Sequence, residues 1–390
     1  MTLSRRHFLI NSSLLGCSAA ASPLLTPLTL AAAPGENRLV VIILRGAMDG
    51  LDVVRPVGDA DFAGFRPTLG TVESAQDLDG FFALNEGLSA LMPLWHAKEL
   101  GFVHAVSTPY RDKRSHFDGQ DLLETGSNDR NGAPTSGQTG WLNRALALLP
   151  NAGQETAFSV GAARMQLLDG DMPYSAWNPG AELSLSPQAE VLLTRIYADD
   201  QLFAASSKMA IDLSGQSDQM GNSGRADAAK TLAAFAAERL NEDTRIASFS
   251  INGWDTHGGQ KRNLPRALGQ LSNAILALKV GLGRNWQRTT VLAITEFGRT
   301  VAENGTGGTD HGTGGAMVMA GGAINGGQVF GQWPGLSELD LYQNRDLEPT
   351  ADVRRYLGWA LRDLFGMEAS ALGASVFPGL DMGENVGIIA

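Results

Sequence analysis

Five short apolar runs in the chain look like strands. The first, Arg38-Leu39-Val40-Val41-Ile42-Ile43-Leu44, is continuous and rich in β-branched residues. Such a run predicts a strand covered on both faces, as in a parallel sheet. Similar runs lie at Leu100–Val106, Ile246–Ile251, Val291–Thr295 and Ala316–Ala320. Between them the period changes. Leu264, Leu268, Leu271, Ile275 and Leu278 form one apolar helical stripe. Ala228–Leu240 is Ala-rich and helix-favouring, and Asp352–Phe365 reads as an amphipathic helix opened by an Asp cap. Strands alternating with helices predict an α/β fold, with a central mostly parallel sheet and helices on both faces. The segments Asn128–Gln138 and Ser214–Ser223, rich in Gly, Ser, Thr and Asn, read as surface loops, and no internal repeat occurs.

The N-terminus departs from this pattern. Ser4-Arg5-Arg6-His7-Phe8-Leu9-Ile10 carries paired arginines before a short apolar stretch, the form of a twin-arginine export signal. Asn11, Ser12, Ser13, Pro23 and Pro27 break the stretch from Phe8 to Leu30. A stable membrane span needs roughly 20 mostly apolar residues, so a signal is expected here and no transmembrane segment. Ala31-Ala32-Ala33 offers a cleavage site, and Pro34 favours a cut after Ala32. The expected organisation is a signal peptide at 1–32 and a single α/β domain at 33–390. The Tat translocase is then a partner during export, and the destination is the periplasm or the outside of the cell. Leu14-Leu15-Gly16-Cys17 also resembles a lipoprotein box, which would anchor the chain at Cys17.

Cys17 is the only cysteine. A chain that loses it with the signal has no disulfide, zinc-thiolate site or cysteine nucleophile. The formal charge of −11 argues against a broad nucleic-acid surface. Walker-type and dinucleotide phosphate loops are absent, and so is a Gly-x-Ser-x-Gly elbow.

The candidate chemistry sits after the expected strands, where ligands gather in open α/β sheets. Asp49 and Asp52 follow the first strand. Asp255 and His257 follow the strand ending at Ile251, and on extended chain they point to the same side. Carboxylate and imidazole are common ligands of a divalent transition metal. Glu296 follows Thr295 and reads as a ligand, a base or an ion-pair partner of Arg299. Asp310 and His311 sit among glycines before the last strand, and only one of the two is expected to face a given metal. Ser115 reads as a helix N-cap beside His116, where an anion would be stabilised. His96 and His104 lie in apolar surroundings and read as packing residues.

Six segments in order carry a family resemblance: Leu44-Arg45-Gly46-Ala47-Met48-Asp49-Gly50-Leu51, Ser115-His116-Phe117, Gly140-Trp141-Leu142-Asn143-Arg144, Gly253-Trp254-Asp255-Thr256-His257, Thr295-Glu296-Phe297-Gly298-Arg299-Thr300 and Gly308 through Gly327. Together they resemble the bacterial domain-of-unknown-function family 1501, which is grouped with the alkaline phosphatase and sulfatase superfamily. The resemblance implies an alkaline-phosphatase-like three-layer sandwich with a metal site at the strand ends. It suggests Asp49, Asp255, His257, Glu296 and His311 as ligands of a divalent ion: zinc, manganese, calcium or magnesium. Two departures stand out. Glu296-Phe297 replaces the Asp-His common in that superfamily, and Ser115 or His116 stands where sulfatases carry a cysteine. The activity implied is hydrolysis of phosphate or sulfate esters. Ser115 or His116 would attack or position the attacked group, and Arg45, Arg114 or Arg299 would hold the anion. The alternative is a catalytically inactive protein on the same fold that binds a glycan or an envelope partner.

Overall fold

A computed structural model describes residues 35–71, 75–129, 138–161, 163–178 and 228–390. The expected signal, Cys17, the Ser214–Ser223 loop and most of the Asn128–Gln138 loop lie outside these residues.

The five apolar runs all form strands. They are β1 (Arg38–Arg45), β2 (Leu100–Ser107), then β5 (Ile246–Asn252), β6 (Thr289–Ile294) and β7 (Gly315–Ala320). Between β2 and β5 come helix α1 (His116–Thr125), the short helix α2 (Trp141–Leu146), β3 (Ala157–Val160), β4 (Ser175–Trp177) and α3 (Ala228–Leu240). Helix α4 (Gln260–Leu282) links β5 to β6. After β7 the large sheet gains two more short strands, β8 (Val329–Phe330) and β9 (Ala351–Asp352), and helix α5 (Val353–Phe365) follows. Asp352 caps α5, its side chain accepting from the Arg354 N–H.

These strands build one nine-stranded sheet in the order β8-β2-β7-β6-β1-β5-β3-β4, with β9 also pairing with β2. β1 is central and parallel to both neighbours, Leu39 lying beside Ile246 on one side and Thr290 on the other. β7 runs antiparallel to β6 and to β2, and every other pairing in this sheet is parallel. The sheet is therefore mostly parallel, as the unalternating run at Leu39–Leu44 predicted. Leu39 to Leu44 are all fully buried, and successive residues feed opposite cores. Val40, Ile42 and Leu44 pack with α3 and α4, while Leu39, Val41 and Ile43 pack with α2 and α5. Burying each such side chain contributes roughly 1.5–3 kcal/mol.

This topology decides where the chemistry lies. The C-terminal ends of β1, β5 and β6 share one edge of the sheet. β7 runs the other way, so its beginning, just after His311, reaches the same edge. β2 ends there too, and the chain continues to α1 and His116. Among the described residues, no helix is long and apolar enough to cross a membrane.

Candidate metal centre

Three segments bring three imidazoles around one carboxylate at this edge. His257 Nε2 lies 3.2 Å and His311 Nε2 3.5 Å from Asp255 Oδ1, and His116 Nε2 lies 3.4 Å from Oδ2. The Nε2 atoms of His257 and His311 are 2.9 Å apart. The His116 ring stacks on Phe297 at 5.2 Å and meets His311 edge-on at 4.3 Å.

What stands behind each ring fixes its proton. His116 Nδ1 is 2.8 Å from Glu296 Oε1, His257 Nδ1 is 3.1 Å from Asp310 Oδ1, and His311 Nδ1 is 2.8 Å from the Arg114 carbonyl. A carbonyl or an ionised carboxylate can only accept, so each Nδ1 carries the hydrogen. Both carboxyls are held ionised. Burial works against the charge of Glu296, but hydrogen bonds from His116, its own backbone, Gln120 and Gly46 outweigh it and hold the group below the usual carboxylate range. A hydrogen bond from Asn304 leads the causes that lower Asp310. In the neutral rings all three Nε2 lone pairs then face inward. Two such lone pairs 2.9 Å apart repel unless a cation or a shared proton lies between them.

That arrangement fits a divalent ion. Three imidazoles and a carboxylate are a borderline-soft donor set, and carboxylate or carbonyl partners on the far ring nitrogens raise ligand basicity and hold the rings in place. His116, Asp255 and His311 meet the spacing for a shared ion, with donor atoms within 4.8 Å of one another. The water side is open, since the Asp255 and His257 side chains are 45% and 47% exposed. The hydrogen bond to Glu296 raises the His116 pKa against the opposing effect of burial. Burial lowers that of His311.

The backbone around the cluster is held open by small residues. Gly46 has φ +119°, and a Cβ there would lie 2.5 Å from the Asp255 nitrogen, so only glycine lets the end of β1 approach the Asp255 loop. Ala47 follows with φ 59°. Two side chains clamp this strained turn: the Gly46 N–H bonds to Glu296, and Arg299 takes both the Gly46 and the Ala47 carbonyls. Arg114, at φ 53°, turns its carbonyl to His311.

Several expected roles need correction. Arg299 is buried, and its guanidinium is committed to the carbonyls of Ala47, Thr309, Gly46 and Trp254 and to Asp255. It orients the Asp255 loop, and its side chain is fully shielded from water. Partial burial pushes Asp255 upward, but Arg299 outweighs it and keeps the carboxyl below the usual range. Asp49 stands apart from the cluster. Both its oxygens are bonded to Arg66, at 2.7 and 3.1 Å, and one also to Gln260. Glu296 and Asp310 stand behind histidines, each presenting its carboxylate to an Nδ1. Ser115 does not reach the cluster: its N–H and hydroxyl both meet the Tyr110 phenol, and its side chain makes no capping bond. Arg114 is held by Asp346 and Gln343, and Arg45 bonds to Gln120 and Glu124. His104 is a core residue as expected, whereas His96 is exposed.

Arg66, Gln120, Thr256, Gln260 and Thr309 were not singled out in the sequence. Gln120 had a signal: it lies one helical turn after His116, and both side chains reach Glu296 Oε1.

No curated protein matches the chain in sequence. Among solved structures, the chain is similar to the C-terminal periplasmic domain of EcEptC from Escherichia coli in complex with Zn, at 10% identity and TM-score 0.41 over 91% of this chain and 89% of that one. It is also similar to PsFucS1 sulfatase from Pseudoalteromonas sp., at 12% identity and TM-score 0.41 over 100% and 78%. A third is a protein in the alkaline phosphatase superfamily from Vibrio parahaemolyticus, at 12% identity and TM-score 0.35 over 80% and 69%. Residues 112–372, more than half of the chain, match the family described as "Protein of unknown function (DUF1501)", and the chain belongs to that family.

Proposed function

We propose that this chain is an exported, metal-dependent hydrolase of phosphate or sulfate esters, with one divalent ion held by His116, Asp255, His257 and His311. The observation that carries the reading is the convergence of three imidazole Nε2 atoms on Asp255, each ring backed by an acceptor at Nδ1. Bound there, a divalent ion would supply Lewis-acid polarisation of the ester and would acidify water. The chain's own residues do the rest. Glu296, Asp310 and the Arg114 carbonyl hold the three Nδ1 protons, and Arg299 holds Asp255 in place. No Ser or Thr hydroxyl of the described residues belongs to the cluster, so water is the proposed nucleophile. Zinc suits this donor set best among the candidates. Export in the folded state, as the paired arginines imply, would let a site drawn from three distant segments load before release.

A second reading is a binding protein on the same fold. It is favoured by the guanidiniums of Arg299 and Arg114, which are already bonded to acceptors of the protein itself. Hydrolysis of 4-nitrophenyl phosphate and 4-nitrophenyl sulfate by the purified chain, before and after chelation, separates the two. Turnover abolished by chelation and restored by zinc is expected. Metal bound with no turnover of either ester would favour the binding protein.

A further inference from the structure

We infer that Gln260 is the positioning residue of this centre, locking together the two loops that carry its ligands. The inference rests on the metal reading for its consequence, and on hydrogen-bond geometry for its substance. Gln260 is the first residue of α4 and is fully buried. Its amide has four hydrogen-bonding positions, and all four are used. Nε2 donates to Asp49 Oδ2 at 2.6 Å and to Asp52 Oδ2 at 2.7 Å. Oε1 accepts from Thr256 Oγ1 at 2.8 Å and from Thr309 Oγ1 at 2.9 Å. Carboxylates accept and hydroxyls here donate, so the amide has only one orientation that satisfies everything.

The two threonines are what make this a device of the site. Thr256 sits between Asp255 and His257, and Thr309 directly precedes Asp310 and His311. The loops also bond directly, Thr309 N–H to the Thr256 carbonyl at 3.1 Å. The Gln260 N–H holds the second loop again, through the Gly307 carbonyl at 2.8 Å. A Cβ on Gly308 would lie 2.3 Å from the Thr256 oxygen, so the two backbones already lie as close as a side-chain-free residue allows. On its other side the amide is anchored to a buried, charge-balanced block. Arg66 pairs with Asp49, and Arg55 pairs with Asp52 at 2.7 Å. Gln260 thus fixes His257 relative to His311 by tying both loops to a rigid base at the end of β1.

The test compares Gln260→Leu, Thr309→Val and a control, Asn143→Leu. Asn143 is another buried amide with three bonds, to Leu168, Met172 and Met172 again, and it touches neither loop. Two quantities are read on the full chain: amide hydrogen exchange at residues 255–258 and 308–311, and the affinity and visible spectrum of Co2+. Gln260→Leu is expected to speed exchange in both loops together, weaken Co2+ about 10- to 100-fold and alter its spectrum. Thr309→Val, the milder change, is expected to do the same to a smaller degree. Asn143→Leu should leave both readouts at wild-type values. Unchanged loop exchange in Gln260→Leu and Thr309→Val would overturn the inference, as would equal loosening by Asn143→Leu. A wild-type chain that binds no Co2+, while Gln260→Leu still loosens both loops, would sink the metal reading and support the loop lock.

Discussion

Glu296→Gln isolates the charge behind His116 from the shape around it. In the native chain Glu296 Oε1 accepts from the Gly46 N–H at 3.0 Å, His116 Nδ1 at 2.8 Å and Gln120 Nε2 at 3.1 Å. Its other oxygen lies 3.0 Å from Thr295 Oγ1, which is also bonded to the Leu44 carbonyl. A glutamine oxygen can keep the first three bonds, and its NH2 can donate to Thr295 Oγ1, whose own hydrogen then goes to Leu44. The fold is preserved and only the negative charge is lost. A hydrogen bond to an ionised acceptor is roughly twice as strong as a neutral one, so the imidazole loses basicity. Partners of this kind are worth about 10- to 100-fold in metal affinity, or about 1.4–2.7 kcal/mol. The assays are zinc titration of the folded variant and NMR titration of His116 in metal-free protein. In the native chain Glu296 raises the His116 pKa. The stability from this pair is therefore full below the unfolded imidazole pKa of about 6.5 and is lost as pH rises through the raised folded value. In Glu296→Gln that loss shrinks and His116 titrates lower. Native zinc affinity together with an unmoved His116 titration would refute the reasoning.

Two further predictions concern the frame. His104 is buried, with Nε2 at 3.0 Å from the Val54 carbonyl and Nδ1 accepting the Ala105 N–H. Burial lowers its pKa to about 4. Its contribution, roughly 3 kcal/mol, is full above the unfolded value of about 6.5 and is lost as pH falls toward 4. His104→Gln should flatten that limb of a urea-denaturation profile against pH, and parallel profiles would contradict this. Arg66→Met should cost about 3–5 kcal/mol in the same assay at neutral pH, because it leaves the buried Asp49 carboxylate without its cation. A loss under about 1 kcal/mol would show that Asp49 does not need the pair.

The architecture was legible wherever burial wrote itself into composition. The run at Leu39–Leu44 offers no polar face for a half-exposed strand, and the stripe from Leu264 to Leu278 could be little but a buried helix face. β3 and β4 were not legible, being too short to show any period. Nor was the reversed direction of β7, because a strand covered on both faces reads the same either way. At the site, sequence located every histidine of the cluster but could not rank carboxylates by distance. Glu296 and Asp310 share the composition of ligands, yet one bond at Nδ1 separates them from the convergent atoms. Asp49 looked free because its partner Arg66 lies in a segment with no motif. Gln260 did leave a trace. It falls four residues before Leu264, in register with the buried stripe, and a polar residue on such a stripe must find partners inside the protein.

The central claim is that His116, Asp255, His257 and His311 hold one divalent ion. Elemental analysis of the purified chain, expressed per mole of protein, tests it most directly beside folded His257→Ala and His311→Ala variants. One divalent ion per chain in the native protein, falling close to zero in both variants, is the predicted result. A metal-free native protein, or a metal content that neither substitution lowers, would contradict it.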